Sequence, residues 1–225
     1  LHAGAELARQ QARRVQEMLS ADYQPGIFEM ALPARPYQRL AADLWLTSRG
    51  LLLADELGLG KTVSTLAGLS DPRTRPATIV CPVHIMEQWA EEARKFLPGC
   101  TAHIVRGTTP YPIPAEASRL YRRRREVYPL DPNGDPVYPD FVIVSYSRLP
   151  GWAAYLAHRS KSVVFDEVQE LHRAKAETGD ETQKYAAAKL LARSVDYRLG
   201  LSARPVQGYG GEAFNILDIL RPGSL

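Results

Sequence analysis

An α/β domain of three layers, built on a mostly parallel central sheet, is the fold class this sequence predicts. Three observations predict it. Short apolar runs and amphipathic stretches alternate from about residue 50 onward, and strands separated by helices imply a parallel sheet covered on both faces. The first run, Leu51 to Ala54, empties into Asp55-Glu-Leu-Gly-Leu-Gly-Lys-Thr62, a glycine turn followed by a helical pattern. A later run, Val163-Val-Phe-Asp-Glu-Val-Gln169, ends in two carboxylates. In a sheet of this kind ligands gather at the C-terminal edge of the strands.

The whole chain sets bounds on the answer. Its 225 residues suffice for one large domain with a proper core. No apolar run approaches the length of a membrane span, and the N-terminus is charged where a signal peptide would be apolar. No membrane partner is therefore expected, and the expected location is the cytoplasm, nucleoid or nucleus. Cys81 and Cys100 lie far apart with no His or Cys at ligand spacing, so reduced thiols are expected and zinc is not. A net charge of +3 is compatible with a polyanionic partner and proves none.

Residues 3 to 20 have helix-forming composition with a thin apolar stripe of Leu7, Val15, Met18 and Leu19. There is no initiator Met, and the opening residues read as mid-protein sequence, so an excised piece is expected. Between Asp22 and Pro36 prolines and a glycine interrupt the hydrophobic residues, which predicts an extended segment laid over the domain. Residues 1–33 form this accessory portion, and the main lobe is expected over 34–225. Pro36 opens an amphipathic helix with Tyr37, Leu40, Ala41, Leu44 and Trp45 on one face. Gln38 lies beside that face. A carboxamide both donates and accepts, so at this place it reads equally as a solvated residue or as the reader of an adenine edge.

After the glycine turn, strands are expected at Ala77 to Cys81, Thr101 to Val105, Phe141 to Ser145, Val163 to Asp166 and Tyr197 to Ser202. Helical patterns intervene at 61–69, 84–97, 148–158, 181–194 and 212–220. One interval, Gly107 to Asp140, breaks the rhythm with prolines and the run Arg122-Arg123-Arg124-Arg125 between Tyr121 and Tyr128. Long segments of this kind are usually functional or mobile. Arginines beside tyrosines suit phosphate contacts and base stacking, and a solvated charged helix accounts for them equally well.

The chemistry of the two motifs is legible from residue type. A polyphosphate needs converging backbone N–H groups, and Gly58 and Gly60 let the main chain approach without a Cβ. Lys61 supplies a point charge for the β/γ-phosphates, Thr62 a hydroxyl for Mg²⁺, and the following helix its positive end. Asp55 stands where the usual GxxxxGK[ST] pattern has its first glycine. Asp166 and Glu167, at the end of a buried strand, cost desolvation unless a cation uses them. Mg²⁺ beside a nucleotide phosphate is that user, with Asp166 holding the metal and Glu167 orienting or deprotonating the attacking water.

With these residues in place, the chain resembles the first RecA-like lobe of superfamily 2 helicases and translocases, nearest to the SNF-type DNA-stimulated ATPases. The resemblance is carried by ARPYQRLAADLWL, LLLADELGLGKT, TIVCPVHIMEQWAEEARKF, DFVIVSYSRL, VVFDEVQ and LGLSARPVQ, in that order from about Ala34 to the C-terminus. It accounts for Asp55, because the SNF-type loop is normally written DExGLGKT. It implies ATP and Mg²⁺ as ligands, Gln38 as adenine reader, and duplex DNA rather than RNA as the tracked polymer. It also implies that Val83, His84, Ser145 and Tyr146 lie near that polymer, with amides and hydroxyls toward its phosphates.

Gln169 replaces the histidine of the family's DEAH, and Arg204 follows Ser202 and Ala203 where the family has a hydroxyl residue. Gln169, Ser202 and Arg204 are expected to couple nucleotide state to the nucleic-acid side, with Arg204 able to pair with Asp166 and Glu167 and so to mis-set that coupling. The resemblance implies a second lobe beyond Leu225, which donates arginines worth about 10³ to 10⁵ in rate in other phosphoryl-transfer systems. The isolated chain is therefore expected to bind ATP weakly and to hydrolyse it poorly. A non-hydrolysing nucleic-acid-binding module and the motor lobe of a restriction or recombination helicase are the alternatives.

Overall fold

The computed structural model describes residues 2–113, 137–171, 182–204 and 210–223. Helix α1 (His2–Met18) and an extended segment lead into α2 (Pro36–Ser48) and strand β1 (Gly50–Leu53). Then come α3 (Lys61–Leu69), β2 (Ala77–Cys81), α4 (Met86–Phe96), β3 (Ala102–Ile104) and β4 (Phe141–Ser145). They are followed by α5 (Leu149–Ala157), β5 (Ser162–Asp166), α6 (Gln183–Ser194), β6 (Tyr197–Leu201) and α7 (Gly210–Leu220).

The six strands make one sheet in the order β1-β6-β5-β2-β4-β3, and every neighbouring pair is parallel. Successive strand residues point to opposite faces, and both faces are buried. Val80, Val142, Val144, Val163 and Phe165 pack with α5, α6 and α7. Ile79, Cys81, Ile143, Val164, Leu199 and Leu201 pack with α2, α3 and α4. That is the expected three-layer domain, and burial on both faces explains why the strands read as unbroken apolar runs rather than as alternation. The strand expected at Thr101 to Val105 is shorter, Ala102–Ile104, although Val105 N–H still donates to the Ile143 carbonyl at 2.9 Å.

Two local features position the first half of the site. In α2 the buried residues are Gln38, Ala41, Ala42 and Trp45, an i, i+3, i+4, i+7 stripe. The stripe is rotated from the expected one, because Gln38 takes the first inward position and Tyr37 is 39% exposed. Helix α3 lies so close to α2 that a Cβ on Gly68 would stand 2.5 Å from the Trp45 ring. This contact fixes the direction in which α3 leaves the glycine turn.

The extended segment expected before Pro36 is tied onto α2. Asp43 accepts from the Tyr23 hydroxyl at 2.9 Å and from Gly26 N–H at 2.8 Å, and the Arg39 guanidinium donates to the Pro25 carbonyl at 3.2 Å. Met18, at the end of α1, is buried. Of the interval 107–140, Tyr111, Ile113 and Tyr138 pack on the core under α5, whereas the run Arg122 to Arg125 lies outside the described residues. Cys81 and Cys100 are both free thiols, and no helix among the described residues is long and apolar enough to cross a membrane.

Candidate nucleotide site

The turn between β1 and α3, the first turn of α4 and the end of β5 enclose a cleft of about 370 Å³, lined by Leu57, Gly58, Gly60, Lys61, Thr62, Ile85, Gln88, Trp89, Asp166 and Glu167. The two sequence motifs thus meet at one edge of the sheet. Gly58 and Gly60 adopt φ of 87° and 73°, in the left-handed region that glycine reaches without strain. A Cβ on Gly60 would stand 2.6 Å from Gln38 Nε2. Helix α3 then starts at Lys61, and the opening N–H groups of a helix have no intrahelical acceptor.

Gln38 is 6% exposed and stitches the turn to α2. Its Oε1 accepts from Arg35 N–H at 2.9 Å, and its Nε2 donates to the Leu59 carbonyl at 3.1 Å. Nε2 also lies 3.5 Å from the Gly60 carbonyl, so what is left over is one lone pair on Oε1. Tyr37 OH donates to the same Leu59 carbonyl at 3.0 Å. Lys61 Nζ folds back onto its own turn, donating to the carbonyls of Asp55 at 2.8 Å and Glu56 at 3.1 Å.

The opposite wall is more tightly connected. Asp166 ends β5; its Oδ2 accepts from the Trp89 indole N–H at 2.8 Å and its Oδ1 from Glu167 N–H at 2.9 Å. Burial raises the Asp166 pKa above the usual carboxylate range, against the lowering effect of the Trp89 hydrogen bond. Glu167 sits at φ 53°, a sparsely populated conformation for a residue with a side chain. From there a chain of hydrogen bonds runs to the end of β6. Gln169 Nε2 donates to Glu167 Oε2. Ser202 Oγ donates to Gln169 Oε1 at 2.7 Å, and Arg204 N–H donates to Ser202 Oγ at 2.9 Å.

Several sequence expectations change at this point. The Arg204 side chain is exposed and forms no ion pair with Asp166 or Glu167; only its backbone joins the chain. Ser145 and Tyr146 are buried, at 1% and 4% exposed, where a polymer-facing pair would be open. The Tyr146 hydroxyl donates to the Asp166 carbonyl at 2.9 Å and so supports the acid pair from below. Desolvation and then the nearby Asp166 charge push its pKa well up. Ser145 Oγ pairs with Ser147 Oγ at 3.0 Å. Val83 and His84, in the turn after β2, are exposed as expected of surface residues.

Trp89 is the residue that sequence reasoning missed as part of the site. In the sequence it carries no role beyond its place in the helical pattern 84–97. The available signal is that a buried indole usually finds an acceptor.

The residues fit a nucleotide bound with a divalent cation. The cleft is of ligand size, Gly58 and Gly60 hold the left-handed backbone that opens the turn, and Thr62 and Asp166 face the same space. Among the described residues no group of three or more His, Cys, Asp or Glu side chains is placed to hold a metal alone.

A parallel sheet with a glycine cradle, a lysine-headed helix and an acid pair at one edge is the arrangement of a P-loop nucleotide-binding domain of the RecA-like kind. The sequence matches the SNF2-related domain over residues 10–225, and the chain belongs to that family. It is 30% identical over 184 residues to Protein CHROMATIN REMODELING 5 of Arabidopsis thaliana, covering 80% of this chain and 10% of that protein. It is 28% identical over 188 residues to DNA repair protein rhp54 of Schizosaccharomyces pombe, covering 79% of this chain and 20% of that one. The fold matches the Sulfolobus solfataricus SWI2/SNF2 ATPase core in complex with dsDNA, with a TM-score of 0.67 and 23% identity over 89% of this chain and 38% of the other. The chain thus spans about a tenth to a fifth of these two relatives.

Proposed function

We propose that the chain is the first ATP-binding lobe of an ATP-dependent translocase acting on duplex DNA, completed by a second RecA-like lobe of the same polypeptide. The observation that carries this reading is the shared cleft, in which Lys61 and Thr62 face Asp166 and Glu167. Family membership and the relatives' printed roles in chromatin remodelling and DNA repair support it.

In this reading Lys61 exchanges the Asp55 and Glu56 carbonyls for the β/γ-phosphates of ATP, while Gly58 and Gly60 let backbone N–H groups close around them. Gln38 offers the remaining lone pair of Oε1 to the adenine edge, together with the Nε2 proton that the distant Gly60 carbonyl holds at 3.5 Å. Thr62 and Asp166 hold Mg²⁺, which screens the phosphate charge when bound. Glu167 orients the attacking water and takes its proton. Gln169 and Ser202 pass the state of Glu167 to the end of β6, and Arg204 joins through its main chain. Val83 and His84 face the polymer. The continuous link from Glu167 to Ser202 and the outward Arg204 side chain favour a motor over a non-hydrolysing module.

The test is nucleotide binding by the chain itself and ATP turnover by a polypeptide that carries it with a second lobe. Turnover is expected to rise with duplex DNA and to fall about tenfold in Gln169→Ala, the loss of one hydrogen bond to a charged group, with nucleotide affinity retained. Absence of nucleotide binding, or turnover indifferent to DNA, would refute the reading.

A further inference from the structure

We propose that Trp89 is a positioning residue that holds the Asp166 carboxylate in the orientation needed to share a divalent cation with nucleotide phosphates. The inference rests on the reading of the cleft as a nucleotide site and adds to it a residue from a different element.

Trp89 lies in the first turn of α4 and is 2% exposed. Its inward neighbours on the helix are Met86, Ala90, Ala93 and Phe96. A phenylalanine would fill this apolar space as well. The indole adds one N–H, and that N–H reaches 77 positions along the chain to Asp166 Oδ2 at 2.8 Å. The other two tryptophans show what packing alone requires. Trp45 buries its N–H with no acceptor among the described residues, and Trp152 donates to the Gly107 carbonyl at 2.9 Å. Neither lines the cleft, whereas Trp89 does.

The consequence for Asp166 is orientational. A carboxylate turns about a broad, roughly two-fold torsion. Here the indole takes one oxygen and the Glu167 amide the other, so two donors on separate elements define the carboxylate plane. Each oxygen keeps a lone pair for a further partner. Mg²⁺ tolerates little departure from octahedral geometry, so a carboxylate fixed beforehand has a purpose that packing does not supply. Among the described residues Trp89 is the one side chain that donates to Asp166, since Lys61 is held by the carbonyls of its own turn.

Trp89→Phe keeps the ring and removes the N–H. Binding of a fluorescent ADP analogue is titrated with native protein and variant, in excess Mg²⁺ and again in EDTA. The expected result is an affinity about tenfold lower for the variant in Mg²⁺ and unchanged in EDTA. Equal losses in both conditions, as packing damage would give, or no loss in either, overturn the proposal. If native protein binds the analogue in neither condition, the nucleotide reading itself falls and takes this inference with it. Should the variant not fold, native tryptophan emission carries the test. It should change when Mg²⁺ and unlabelled ADP are added together and not with ADP in EDTA, and an identical response in both conditions overturns the proposal.

Discussion

The two walls of the cleft are built on different principles. The acid wall ends a central strand, rests on the buried Tyr146 and Trp89, and continues by hydrogen bonds through Gln169 to Ser202. The phosphate turn projects from β1 at the edge of the sheet, with Leu57 77% exposed and its lysine bonded to its own carbonyls. One wall is organised before any ligand arrives. In the proposed reading the other exchanges internal contacts for external ones, which would make it the side where binding is controlled.

The largest effect comes from the far edge of the sheet, away from both walls, and sets the stability background against which they are compared. Burial of His103, in β3, with a smaller contribution from Arg106, lowers its pKa to about 4. A folded pKa below the ordinary value of about 6.5 means that the unfolded chain takes the proton first. Stability is therefore full above about pH 6.5 and is lost as pH falls toward 4, by up to about 3 kcal/mol. Urea titrations across this range should show the loss in native protein and a flatter profile in His103→Gln.

Lys61→Ala probes the other wall. It should weaken nucleotide binding on the order of a hundredfold, the loss of one or two charge-assisted hydrogen bonds, with little change in thermal midpoint, as read by analogue titration beside a melting curve. A large fall in stability would mean that the turn is as integral to the fold as β5. Gly60→Ala places a Cβ at φ 73° and against Gln38 Nε2. A stability loss of about 1–2 kcal/mol is expected from the left-handed backbone alone, measured by chemical denaturation. Arg204→Thr should have the smallest effect, within about 0.5 kcal/mol, because the side chain is exposed and the link uses its N–H. A larger change would place Arg204 inside the acid wall after all.

Much of the fold was legible because a parallel sheet buried on both faces leaves unbroken apolar runs; Ala77–Cys81 and Phe141–Ser145 coincide with the observed strands. The glycine turn and the acid pair were legible because their chemistry restricts residue type. What was not legible depends on where a side chain points. A tyrosine after a strand can face solvent or the core, and Tyr146 faces the core. A tryptophan on an amphipathic helix declares its apolar body and not the destination of its N–H, so Trp89 passed as packing. Gln38 reads from sequence as lying beside the inward face, whereas Arg35 N–H and the Leu59 carbonyl supply the donor and the acceptor that burial requires.

The register of three strands carries one more consequence. Leu53 pairs with Leu201, and Leu201 pairs with Asp166, so the ends of β1, β6 and β5 stand level. Neighbouring strands lie about 4.8 Å apart, and the span from the root of the phosphate turn to the acid pair is therefore two strand spacings, roughly 10 Å. Main-chain hydrogen bonds act as the gauge between the two walls, and β6 is its middle leaf. Side chains at the rim can change without moving either wall, because the gap is written in backbone rather than in residue identity.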